Sequence, residues 1–332
     1  MISVVIPAYN AKQCIGRAID SVLSQSFSDY QIIVVDDGST DDTAGVVGRY
    51  DSRVNYIYQE NAGDGPARNA GIAATKGNWI AFLDADDEWL PEKLQKQTAL
   101  LDRNSDLKWC STNRFEAIGE RKAAAGSKAA ITEALAGRDY FPNYFTAAMK
   151  GKCPIVTTTI MVHKEVFEQV GVFDTCWSRC ADIDLWWRIA HSYPRIGYAP
   201  EPLAIRHLDA ENPSMRQRRL EAMNGHDARK IAARHLAIAE EKGRIDEFRP
   251  FVSMALREAL LKVLFCGYKQ DARDMVNQFP ELFPSHWRAA TYLLTIFPKV
   301  TSAAARTALY LVNKSGLKKQ VSRDPIVKTE KN

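Results

Sequence analysis

The sequence predicts an α/β protein with a mainly parallel central sheet, followed by a helical carboxyl-terminal region. Three observations carry this expectation. Through about residue 207, short apolar runs of strand length alternate with segments of helical periodicity, the pattern of strands joined by crossover helices. Two of those runs, 32–35 and 79–83, end abruptly on acid: Asp36 and Asp37 after the first, Asp84, Asp86 and Asp87 after the second. Beyond Pro213 the strand-length runs stop: 215–241 and 251–266 look helical, and 287–313 alternates apolar clusters with lysine and arginine.

In chain order, Ile2 to Ile6 reads as a buried strand ending at Pro7, and Ile15, Ala18, Ile19, Val22 and Leu23 give the helix after it. The second strand, Ile32 to Val35, leads into Gly38 and a Ser-Thr-Asp-Asp-Thr run suited to capping a helix. Val54 to Tyr58 is the third strand, and a helix over 63–75 returns the chain to the fourth at Trp79. A helix over 91–104 and a strand over 107–112 follow, then a surface excursion at 116–130. The aromatics of 139–150 suit a helix packed on the sheet better than a substrate platform. The β-branched residues of 155–162 predict a strand, 163–169 a short helix, and 182–191 a helix with an acidic first turn. Residues 195–198 and 203–207 read as a last pair of strands. The expected organisation is a nucleotide-binding α/β domain over 1–210, a helical region over 211–315, and a flexible basic tail over 316–332.

The stretch from Trp79 to Trp89 organises the chemistry. Its apolar run has the length of a covered strand, and loops at the carboxyl ends of strands are where open α/β sheets hold ligands. Three carboxylates within four positions are unfavourable together unless something positive joins them. Their hard oxygens suit a divalent cation, Mg2+ or Mn2+, with Asp84 and Asp86 as ligands and diphosphate oxygens completing the shell. The competing interpretation is an acidic turn that caps the next helix. Neither the GxGxxG loop of dinucleotide folds nor the GxxxxGK[ST] phosphate loop is present, so phosphate would be held through a metal.

Composition narrows the function classes. A net charge of +4, from 44 basic and 40 acidic residues, is too mild to argue for a nucleic-acid partner. No apolar run has the length of a transmembrane helix, and the first residues lack the basic region of a signal peptide. The expected location is cytoplasmic. Six dispersed cysteines without paired CxxC units read as free thiols.

Four segments are similar to family 2 glycosyltransferases of the GT-A fold: VVIPAYNA at 4–11, IIVVDDGSTDDT at 32–43, GPARNAGIAATKGNWIAFLDADDEW at 65–89 and VFDTCWSRCADIDLWWRIA at 172–190. The resemblance covers about the first 210 residues. It implies a nucleotide-sugar donor, probed by Pro7, Ala8 and Tyr9 along the nucleotide pocket and by Asp37 at the uracil and ribose region. It further implies Arg68 and Asn69 beneath the donor, and Asp84, Ala85 and Asp86 at the ribose and the metal-bound diphosphate, with Asp86 the more direct ligand. Asp182 occupies the place of the catalytic base, although Ala181 stands where the family motif usually has glutamate; Asp184 is the reserve candidate on the acceptor side. His207 resembles a residue of a loop that closes over the diphosphate and joins the metal set. Arg206 and Arg216 are comparable phosphate clamps, and Trp89 is an acceptor-side candidate. Trp186 and Trp187 are expected in the core.

Together these imply an inverting, metal-dependent transferase moving a sugar from a UDP-sugar or similar donor to a saccharide or lipid-linked acceptor of surface polysaccharide or glycolipid. Two alternatives stand beside it. One is a catalytically inactive relative that binds carbohydrate or acts as a scaffold. The other is a sugar-nucleotide nucleotidyltransferase, which calls for a glycine-rich basic segment that residues 4–14 lack. The carboxyl-terminal helices could form an acceptor wall, a homodimer contact or a peripheral surface on the inner face of the cell membrane.

Overall fold

The computed structural model describes residues 1–177, 180–208 and 225–296. Its centre is a mixed, mostly parallel sheet. Strand β1 (Ile2–Ala8) lies between β2 (Tyr30–Asp37) and β4 (Trp79–Phe82), and β3 (Val54–Gln59) extends the sheet beyond β2; these ladders are all parallel. The crossovers are α1 (Ile15–Leu23), α2 (Thr43–Gly48) and α3 (Asp64–Ala73). Alternation along β1 divides its side chains between two cores. Val4 and Ile6 face the apolar stripe of α1, Ile15, Ala18, Ile19 and Val22, while Val5 faces the other side.

Two glycines permit this half of the molecule. Gly71 of α3 lies so close to β1 that an added Cβ would stand 2.3 Å from Val5 Cγ1. Gly38 turns the chain after β2 with φ +75°, a region open to glycine at little cost, and an added Cβ there would stand 2.7 Å from Asn61 N.

Beyond β4 the sheet continues through β9 (Met161–His163), β6 (Trp109–Ile118), β10 (Ile196–His207) and β5 (Glu88–Trp89). Helix α4 (Lys93–Arg103) covers β6 and β10. Several sequence expectations change here. The excursion at 116–130 is a hairpin of β6 with β7 (Arg121–Ala124), then the start of α5 (Lys128–Leu135). The last two expected strands form one, β10, with register shifts between Ala199 and Ala204. Residues 139–150 divide into β8 (Tyr140–Phe141) and α6 (Tyr144–Met149), whose Tyr144 and Phe145 are buried.

The strand expected over 155–162 is instead a 3-10 turn, Thr157–Thr159, leading into β9. Thr159 explains the difference. Its hydroxyl donates to Val156 O at 2.7 Å and accepts from Val156 N at 3.2 Å, so a local bond takes the place of a ladder bond. Helix α7 (Glu165–Val170) and helix α8 (Ala181–Ser192) complete the amino-terminal part.

Of the four helices that follow, α9 (Gly225–Glu241) packs against α8 and α10 (Ile245–Phe265) against α6, while α11 (Lys269–Gln278) and α12 (Ser285–Ile296) pack on the other carboxyl-terminal helices. One apolar cluster runs from Phe82 and Trp186 at the sheet through Trp187 and Phe145 to Phe248, Phe251 and Trp287. Among the described residues no helix is long and apolar enough to cross a membrane. The expected boundary at 210/211, Arg216, the pattern after Ile296 and the basic tail lie outside the described residues.

Candidate active site

The acidic turn forms where β4 leaves the sheet. Leu83 N donates to Val5 O, continuing the ladder one residue past the strand, and Asp87 N donates to Asp84 O at 3.0 Å to close the turn. The chain then re-enters the sheet as β5, with Trp89 opposite Ala204 of β10. The carboxylates therefore occupy a short loop held at both ends by the sheet.

The three acids have different environments. Asp87 is 2% exposed and accepts from Thr158 Oγ1 at 2.6 Å and from His207 N at 3.1 Å. Burial first, then the charges of Asp86 and Asp84, push its carboxyl well above the ordinary range, so it ties the turn together from within. Asp84 is half-buried and accepts from Arg68 Nη2 at 2.7 Å. Asp86 is mostly buried, and Arg17 Nη2 donates to its backbone carbonyl at 2.6 Å.

Arg68 joins the turn to α8. It projects from α3, is 8% exposed, and stacks over Phe173 with its guanidinium carbon 5.5 Å from the ring centre. The charges of Asp84, Asp64 and Asp182 hold its cation against burial. Asp182, in the first turn of α8, is partly exposed. Desolvation raises its carboxyl above the ordinary value; Arg68 and a hydrogen bond from Ile183 N oppose that rise, while Asp84 and Asp64 add to it. Ala181 packs beneath, its methyl 3.7 Å from where a Cβ on Gly65 would sit. Asn69 clasps the backbone of Phe173, giving and taking one hydrogen bond at 2.8 and 3.0 Å.

The ends of β1 and β2 form the neighbouring wall. Pro7, Ala8 and Tyr9 run off β1, and Ala85 lies partly exposed in the acidic turn. Asp37 is 3% exposed, and its carboxylate accepts from Gln59 Nε2, Ala62 N and Gly63 N at 2.7–2.9 Å. It thus anchors the loop that opens α3. Asp36 is likewise engaged by Ser39 N and the Tyr56 hydroxyl.

Three sequence expectations need correction. Trp89 is 3% exposed, its Nε1 donating to Thr158 O at 2.8 Å; the return into β5 draws it inside, away from any acceptor. Asp184 is 0% exposed and bound by Arg188, Arg234 and His235, which leave it no access to substrate; His235 and Arg188 lower its carboxyl against desolvation. His207 does not join Asp84 and Asp86 in a ligand set: its Nε2 lies 3.3 Å from Glu88 Oε1, and no group of three metal-ligating side chains exists among the described residues. Trp186 and Trp187 are in the core, as expected.

The donor set nevertheless fits one kind of cation. Asp86, with Asp84 shared by Arg68, offers two hard oxygens at a strand end, and Mg2+-type ions commonly take one or two carboxylates and complete their shell with substrate phosphates. A cage made by the protein alone is not what these residues provide. Thr158, Arg17 and Asn61, whose Nδ2 donates to Asp37 O at 2.8 Å, escaped sequence reading. Only the Thr157–Thr159 run hinted at one of them.

The model of the family described as "Glycosyl transferase family 2" matches residues 3–171, half of the chain. The chain belongs to that family. An uncharacterized glycosyltransferase of Rickettsia prowazekii is 29% identical over 191 residues, 57% of this chain and 58% of the relative. The Escherichia coli protein WfgD, named a UDP-Glc:alpha-D-GlcNAc-diphosphoundecaprenol beta-1,3-glucosyltransferase, is 37% identical over 107 residues, 32% of this chain and 42% of that protein. The chain thus spans less than two thirds of either curated relative.

Solved structures share the fold of this family 2 glycosyltransferase. S. aureus TarS 1-349 in complex with UDP-GlcNAc has a TM-score of 0.65 at 17% identity, over 98% of this chain and 94% of that one. The mannosyltransferase PcManGT of Pyrobaculum calidifontis, in complex with GDP-Man and Mn2+, has a TM-score of 0.56 at 17% identity, over 96% and 88%. Both support a GT-A-like fold.

Proposed function

We propose that this family 2 glycosyltransferase moves a sugar from a UDP-sugar to a saccharide or lipid-linked acceptor of surface polysaccharide or glycolipid, with inversion, at the cytoplasmic face of the membrane. The observation that carries the mechanism is Asp182: a partly exposed carboxylate of raised pKa at the open start of α8, within electrostatic reach of Arg68 and Asp84. A raised pKa makes a carboxylate a stronger general base near neutral pH.

In this mechanism the acceptor oxygen forms a bond to the anomeric carbon as its proton passes to Asp182. The bond from that carbon to the diphosphate oxygen breaks, and the nucleoside diphosphate departs with the electron pair. One displacement inverts the anomeric centre. Diphosphate is a good leaving group and needs no carboxylic acid to protonate it, unlike the glycosidic oxygen in glycoside hydrolysis. Arg68 keeps Asp84 in place and moderates the basicity of Asp182. A divalent cation held by Asp86 and Asp84 would supply Lewis-acid stabilisation of the departing diphosphate.

The relatives support this choice of donor and acceptor. UDP-Glc stands in the name of WfgD, together with a diphosphoundecaprenol acceptor, and UDP-GlcNAc was bound to TarS. PcManGT was bound to GDP-Man with Mn2+, so the base of the nucleotide is tested directly. Thermal stabilisation by UDP-sugars with Mn2+, and none by GDP-sugars, is the expected result; the reverse preference would replace the donor. Asp182→Asn is expected to lower transfer about 100- to 10,000-fold while donor-induced stabilisation persists. Full transfer by that variant would refute the base assignment.

A further inference from the structure

Helix α9 holds the base helix from behind. Asp174 and Asp184 bracket Asp182 in sequence, and Arg234 of α9 reaches both: its Nη1 lies 2.7 Å from Asp174 Oδ2 and 3.2 Å from Asp184 Oδ1. His235, the next residue, places Nε2 3.2 Å from the same Asp184 oxygen. Arg188 donates Nε to the other oxygen at 2.8 Å and spans to the carbonyls of Val170 and Val172. Asp184 and His235 are both fully buried.

The helix geometry gives this clasp a direction. Residues two apart on a helix point to opposite sides: Asp184 meets His235 and Arg234 of α9, while the Asp182 carboxylate lies within electrostatic reach of Arg68, its Oδ2 3.5 Å from Thr157 Oγ1 of the 3-10 turn. Fixing Asp184 therefore fixes the rotation of the first turn that presents Asp182. Phe173, just before Asp174, is pinned from the other side by Asn69 of α3. The segment carrying the base is thus held at its start by α3 and at Asp174 and Asp184 by α9.

We propose that Arg234 and His235 are positioning residues for proton transfer, so that the carboxyl-terminal helices take part in catalysis by orienting Asp182. This rests on the reading of Asp182 as the base. Neither residue touches substrate; both act through Asp184, and Arg234 also through Asp174.

The test uses the full chain and its Arg234→Gln and Arg234→Lys variants. Turnover is read as UDP released from UDP-glucose and UDP-N-acetylglucosamine with Mn2+, and backbone order as hydrogen exchange over residues 181–186. Arg234→Gln is expected to speed exchange in that first turn and to lower kcat at least about 10-fold, since misplacement by about 1 Å can cost 100-fold, with donor KM unchanged. Arg234→Lys, which keeps one ion pair, is expected between wild type and Arg234→Gln. Unchanged exchange over 181–186 would overturn the proposal whichever donor is used. So would an unchanged kcat, or a rise in donor KM that matches the loss of turnover.

Should Arg234→Gln fail to fold, Asp174→Asn removes only the part-exposed arm of the clasp and is read in the same way. Asp182→Asn in parallel separates the two ideas. Its full activity would remove the base reading, whereas its inactivity beside an unaffected Arg234→Gln would remove the clasp alone.

Discussion

Burial acts on both Asp182 and Asp184, yet their carboxyls shift in opposite directions because their partners differ. Asp184 is hydrogen-bonded by His235 and ion-paired with Arg188, and these lower its carboxyl despite desolvation. Asp182 has Arg68 opposed by two other acids, and desolvation prevails. A base must be deprotonated, so kcat is expected to rise with pH through the raised pKa of Asp182. Arg68→Met removes the largest influence lowering that pKa and should move the rising limb of the kcat profile to higher pH; a limb that stays in place would show that Arg68 does not tune the base. Lys93 offers a second test at this scale. It is fully buried, donates to Gln97 Oε1 at 2.7 Å, lies 3.9 Å from the centre of the Trp89 ring, and desolvation lowers its pKa to about 7. Between that value and the unfolded value of about 10.4 the unfolded chain holds more protons, so this residue adds stability as pH rises and loses it as pH falls toward 7. Lys93→Met should abolish that component, read as the difference between wild-type and variant stability in urea from pH 7 to 10.

At the scale of elements, the site depends on short segments that depart from regular structure. The 3-10 turn at Thr157–Thr159 delivers Thr158 to Asp87 and to the Trp89 ring nitrogen at once. Thr158→Val would leave a buried carboxyl without one of its donors, which should destabilise the fold by about 1–3 kcal/mol; a urea midpoint equal to wild type would contradict this. The β-branched residues of 155–162 favour a strand by propensity, and the local bonds of Thr159 override it. Similarly, the acids after β4 are visible in sequence, but the return of Glu88 and Trp89 to the far edge of the sheet depends on their pairing with Ala204 and Ile205, more than a hundred residues later.

Across the whole molecule, the carboxyl-terminal helices and the sheet share an apolar cluster. Phe145 of α6 meets Phe248 and Phe251 of α10 at ring separations of 4.9 and 5.0 Å, and Trp187 of α8 lies 5.1 Å from Phe251. A core shared in this way couples the unfolding of its parts. Phe248→Ala should cost about 3–5 kcal/mol and lower one common transition, followed by tryptophan fluorescence and by circular dichroism. Two separate transitions, with only one displaced, would show that the helices unfold independently. The proposed clasp runs through the same packing from α9 to α8, so a region beyond the family match at 3–171 would bear on the orientation of Asp182.

Read alone, the sequence discloses the alternating α/β half, its crossovers and the acids at the strand ends. These follow from local periodicity and from residue types that a short window contains. It also singles out Asp182, through a motif, but Asp184 two positions away offers the same chemistry. Which carboxylate faces solvent, which is paired with α9, and which of the acids after Leu83 is sealed under Thr158 depend on partners far away in the chain. Burial and charge pairing are properties of three-dimensional neighbourhoods. No spacing rule for aspartates encodes them, and folding alone assigns each carboxylate its surroundings.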